Sequence, residues 1–76
     1  MGIKRANIIA NKPIVVGGYG IIYIDVNGGG DGSGLYMLKW GSHEALSQNP
    51  GATITDNGDQ HTITISSNGS YIYIQV

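Results

Sequence analysis

The chain has no cysteine, no phenylalanine and few charges. Without thiols, disulfides and thiolate metal sites are excluded. At 76 residues, folding buries only about 60–65% of the surface of the unfolded chain. Domains of this size often draw further stability from metal or oligomerisation. Charged residues make up 12% of the chain, four Lys and Arg against five Asp and Glu, for a net charge of −1. That share is about half the usual one. It argues against a nucleic-acid or anionic-membrane partner and leaves little repulsion between copies. Apolar runs are short, none near the roughly 18 residues of a membrane-spanning helix. Asn7, Asn11, Lys12 and Pro13 interrupt any secretory apolar core behind the basic start, and Ala6 stands where N-myristoylation needs Ser or Thr. These absences imply a soluble product made in a cytoplasm.

What is present is β-branched and glycine-rich. Hydrophobic residues reach 41%, ample for a folded core. The most informative stretch is Thr53 to Val76, where Asn57-Gly58 and Asn68-Gly69 interrupt β-branched runs. Asn-Gly suits a type I′ hairpin turn, which needs φ > 0 at both central residues. Two-residue turns at both sites predict a three-stranded meander. Across Asn68-Gly69, Ile65 meets Ile72, Thr64 meets Tyr73 and Ile63 meets Ile74. Across Asn57-Gly58, Asp56 meets Asp59, Ile54 meets His61 and Ala52 meets Ile63. Alternation then assigns Ile54, Ile63, Ile65, Ile72, Ile74 and Val76 to a core face. Thr53, Thr55, Thr62, Thr64, Ser66, Tyr71, Tyr73 and Gln75 share the opposite face, either a solvated surface or a contact surface.

Upstream, Ile3–Ala10 reads as a first strand whose Lys4 and Arg5 guard an edge. Ile14-Val15-Val16 runs into Gly17-Gly18-Tyr19-Gly20 and then Ile21–Val26. This is either one strand kinked at the glycines or two strands joined by a tight turn, the turn being preferred. Asn27–Gly34 (NGGGDGSG) is a mobile loop and Leu35–Trp40 the next strand. Gly41–Pro50 has the only helical potential, one turn capped by Ser42 and stopped at Asn49-Pro50, or an irregular loop. The expected fold is all-β: a single domain, residues 1–76, forming a small antiparallel sandwich or barrel of six or seven short strands.

Chemistry is sparse. His43-Glu44 reads as a polar loop, because sequence neighbours rarely converge as a base and its orienting acid. His61 reads as a partly buried structural histidine. Ser66, Ser67 and Ser70 are turn residues without a nucleophile elbow. NGGGDGSG lacks the Lys of a phosphate loop, and Asp31 is its only carboxylate, too few for calcium. No enzyme activity, catalytic residue, cofactor or metal is expected. Tyr19, Tyr23, Tyr36, Trp40, Tyr71 and Tyr73 either plug a small core or form a binding surface, with stacking on sugar rings one use of such faces.

The short chain, absent cysteine, low charge, NGGGDGSG and terminal SSNGSYIYIQV strand resemble small accessory proteins of tailed bacteriophages. The resemblance implies a non-enzymatic, self-associating virion structural protein of a tail fibre, baseplate or head decoration. It would be found in the virion or soluble in the host cytoplasm during assembly. Its partners would be copies of itself, other virion proteins or the host surface, with no nucleic acid and no membrane. The alternative is a small binding module for host carbohydrate or a host protein, such as a phage-encoded inhibitor. Tyr71, Tyr73, Trp40, Tyr36, Thr62 and Thr64 are the expected contact residues.

Overall fold

The computed structural model describes residues 2–30, 32–47 and 51–76. The weighing of Asp31 for calcium and the Asn49-Pro50 stop therefore fall outside the described residues. The fold is all-β and antiparallel, as expected, with eight strands among the described residues in place of six or seven. They are β1 (Gly2–Ile8), β2 (Ile14–Gly17), β3 (Gly20–Val26), β4 (Gly34–Lys39), β5 (Ser42–Ala45), β6 (Thr53–Asp56), β7 (Gln60–Thr64) and β8 (Gly69–Gln75). A larger sheet has the order β1-β8-β3-β4-β5 and a smaller one β2-β7-β6. Between them lie Ile8, Val16, Ile22, Ile24, Val26, Tyr36, Leu38, Ile63, Ile65, Tyr71 and Tyr73.

The C-terminal meander is corrected. β6 and β7 form a hairpin, but β8 leaves for the other sheet and lies between β1 and β3. Asn68-Gly69 is not a hairpin turn: Gly58 has φ +74°, whereas Gly69 is not among the positive-φ glycines. The glycine at 69 serves close packing instead. A Cβ there would lie 2.3 Å from the Asp25 carbonyl oxygen, so only glycine lets β8 start this close to β3. Asn68 fixes the crossing, its Oδ1 accepting from the Ala10 N–H (2.8 Å) and its carbonyl from the Asn27 N–H (3.0 Å).

This crossing reverses the side-chain assignment in β8. Tyr71 pairs with Ile24 and Tyr73 with Ile22, on the inner face, and both rings are buried, 3% and 4% exposed. Ile74 is 39% exposed and Val76 is exposed. The expected isoleucine core therefore holds for Ile63 and Ile65, whereas β8 sends its tyrosines inward. In a chain without phenylalanine, tyrosine is the ring available to fill the roughly 10 Å between packed sheets. Its hydroxyl then needs a partner, and Tyr73 finds one across the core, donating to the Gly17 carbonyl at 2.5 Å.

The β6–β7 register also differs from a two-residue turn. Ile54 pairs with Ile63 and Asp56 with His61, so four residues separate the last paired positions: Asn57–Asp59 and Gln60, which already belongs to β7, with an Asn57 N–H to Gln60 carbonyl bond of 2.8 Å. The slip is two residues, so every side chain keeps its expected face. Upstream, β2 and β3 are two strands, as preferred, but they belong to different sheets and Gly18-Tyr19 turns the corner between them. Ser42–Ala45 forms strand β5 against β4 and not a helical turn.

Candidate interaction surface and the groups around it

Each sheet has one outer face, and the two differ in chemistry. The smaller sheet presents Thr53, Thr55, Thr62 and Thr64 with Val15, an ordinary solvated strand surface. The larger sheet presents two apolar rows. Ile3, Ile74, Ile21 and Met37 lie side by side across β1, β8, β3 and β4. Beside them, Ile72, Tyr23 and Leu35 form a second row across β8, β3 and β4. Leu46, whose N–H donates to the Leu35 carbonyl at 2.7 Å, extends that row and is itself exposed. The rim is polar: Arg5 beside Ile72, Glu44 beside Met37, and Asn7, Ser70 and Asp25 in the next row. Scattered surface apolar residues are normal, but a contiguous band is the informative case.

The sheet edges are treated unequally. On one side β5 and β6 are joined by a carboxylate shared between two histidines. Asp56 lies 2.9 Å from His43 Nδ1 and 2.7 Å from His61 Nδ1. His61 is fully buried, and its Nε2 lies 2.9 Å from the Gly18 carbonyl oxygen. Both ring nitrogens of His61 thus face acceptors. Burial pushes the Asp56 carboxyl up, but hydrogen bonds and charge from His43 and His61 outweigh it and hold the carboxyl below its usual value. Burial alone pushes the Tyr73 phenol up. On the other side, β1 and β2 share no ladder.

Trp40 lies at the β4–β5 turn, 64% exposed. Its ring rests on Gly18, where a Cβ would meet ring carbons at 2.3 and 2.4 Å. Tyr19 sits beside it, ring centroids 6.4 Å apart. No group of three or more potential metal ligands occurs among the described residues.

The expected contact residues are dispersed. Tyr36, Tyr71 and Tyr73 are core rings and offer no contact surface in this chain. Thr62 and Thr64 lie on the smaller sheet's outer face, with Thr62 Oγ1 accepting from Asn57 Nδ2 at 3.1 Å. Of the four aromatics among these six residues, Trp40 is the one open to solvent. The apolar band was missed, though β3 and β4 carried its signal: both are apolar at odd and even positions, the pattern of a strand covered on both faces. Compared with known proteins, the chain matches no family model, no curated protein and no solved structure.

Proposed function

We propose that the chain is a non-enzymatic structural module that self-associates through the outer face of its larger sheet. The supporting observation is the apolar band on β1, β8, β3 and β4, set against the threonine face that the same chain uses on its smaller sheet. A second copy is the fitting occupant. A stable interface takes about 800 Å² from each partner, roughly a fifth of the 4383 Å² this chain exposes. An isologous two-fold parallel to β3 carries the β1 edge of one copy over the β5 edge of the other, so that each apolar row meets the same row of the partner. The bacteriophage resemblance supplies a setting, a tail-fibre, baseplate or head-decoration component.

Native mass by light scattering at two salt concentrations tests this. The expected result is a discrete oligomer that survives high salt, since an apolar interface is little screened. Tyr23→Lys with Ile74→Lys should return it to about 8.0 kDa with unchanged circular dichroism. A wild-type monomer at both salts would overturn the reading.

One observation favours the binding-module alternative, the exposed Trp40–Tyr19 pair seated on Gly18. A flat, fixed ring suits stacking on a sugar. Trp40 is the only tryptophan, so its fluorescence reports directly. Saturable change with one of a panel of oligosaccharides, abolished in Trp40→Ala, would support this reading, and no change with any would remove it.

A further inference from the structure

A two-sheet sandwich has two open sides, and here only one has its two edge strands tied to each other by side chains; on the other, Tyr73 of β8 reaches the Gly17 carbonyl of β2. His43 on β5 and Asp56 on β6 tie the larger sheet to the smaller at 2.9 Å. On the opposite side β1 pairs only with β8 and β2 only with β7, so both edges keep backbone groups unpaired. Two clefts of about 290 and 280 Å³ run along this seam and join at Lys4 and Val15, which line both. Their walls include Val16, Tyr73, Ile14 and Tyr71.

The charge on the seam is one-sided. Of the four Lys and Arg in the chain, Lys4 and Lys12 line the clefts. Arg5 follows Lys4 on the same strand. Among the described residues, Lys39 pairs with Glu44 at 4.0 Å. None of Asp25, Glu44, Asp56 and Asp59 lines either cleft. Lys4 lies on the inner row of β1, beside Tyr73. An inward-pointing lysine on an edge strand repels the same edge of another copy. It equally selects for a segment that carries carboxylates.

We propose that the β1–β2 seam is a docking groove for an extended acidic segment of a partner protein, which adds as a strand to the free edge of β1. Main-chain hydrogen bonds to β1 hold the segment, and alternate side chains enter the clefts and select it. The matching sequence alternates carboxylates on the inner side, in reach of Lys4 and Lys12, with aliphatic residues on the outer side, beside Ile3. β1 has seven residues, so the groove accepts a segment about 23 Å long. This surface adjoins the apolar band at Ile3, which lines one of the clefts, and its occupant differs from a second copy because Lys4 and Arg5 would meet their own kind there.

The test is fluorescence anisotropy on the full chain with a labelled peptide as long as β1, alternating valine with glutamate. Three probes run beside it: the same peptide with a central proline, one alternating valine with lysine, and a single-stranded oligothymidylate. Saturable binding of the acidic peptide is expected, weakened at least about tenfold by Lys4→Glu with Lys12→Glu and by the proline, which removes a ladder donor. Both lysines are exposed, so the variant should keep its dichroism and native mass. Three results would overturn the proposal: no saturable binding, equal binding of the proline or lysine peptide, or tighter binding of oligothymidylate. The last would make the seam a general polyanion site. A rise in native mass of the lysine variant without peptide binding would also overturn it, leaving Lys4 as a guard against self-pairing only.

Discussion

Tyr71→Ser combined with Tyr73→Ser unfolds the protein; it does not produce a folded monomer. Both rings lie between the sheets, Tyr71 beside Ile24 and Ala6 and Tyr73 beside Ile22. Deleting a buried ring costs about 3–5 kcal/mol, part lost transfer energy and part cavity. Two such losses, about 6–10 kcal/mol together, remove most or all of the roughly 4–11 kcal/mol expected of a domain of this length. The second substitution also removes the hydroxyl that spans the core to the Gly17 carbonyl. Urea unfolding followed by circular dichroism checks this, and the double variant should lack a native baseline at 25 °C. Tyr73→Phe separates ring from hydroxyl, keeping the packing and losing about 1 kcal/mol for the bond. A double-serine variant with native dichroism and a cooperative melt would show that these rings do not hold the sheets together. Read from alternation alone, with the tyrosines on an outer face, the same substitutions would loosen an interface and spare the fold, so one experiment decides between the two placements.

That contrast marks where the sequence is legible. The all-β class follows from β-branched runs and turn residues, and the inner placement of Ile54, His61, Ile63 and Ile65 follows from parity, which a slip of two residues preserves. Parity fails to carry from β7 to β8 because it holds only within a paired ladder. Once the chain crosses to another sheet, the face is set by the new neighbours β1 and β3. Asn68-Gly69 reads as a hairpin from composition, since close approach and positive φ both demand glycine and a sequence does not say which. Two signals pointed the other way. A chain with five tyrosines and no phenylalanine must use some tyrosine as core. Strands β3 and β4 are apolar on both faces, so one face was left over after the core was filled, and that face is the candidate surface. Ser42–Ala45 shows a different limit. Ser42 resembles a helix cap, but four residues are too few to nucleate a helix, and β4 offers a ready ladder.

The second large effect concerns the carboxylate shared by His43 and His61. His61 is fully buried and faces the Gly18 carbonyl oxygen through Nε2 and Asp56 through Nδ1. Asp56→Ala leaves a buried ring nitrogen without a partner and cuts the tie to His43 on β5. The expected loss is about 2–3 kcal/mol at neutral pH. Asp56→Asn retains one acceptor oxygen without charge and should lose less. The pH dependence has a definite sign. The Asp56 carboxyl is held below its ordinary value of 3.8 in the fold, so the unfolded chain takes up its proton first as pH falls. The stabilisation is therefore complete above that value and disappears as pH drops below it through the lower folded value. Urea unfolding of wild type and Asp56→Ala at pH 7, 5 and 3, round values chosen to bracket the usual carboxylate range, should show a gap that is steady at the first two and narrows at the last. An equal gap at all three would mean that Asp56 contributes through shape and not through charge. No gap at any would mean that His61 is held by the Gly18 carbonyl alone, and that the β5 and β6 edges stay together without the clasp.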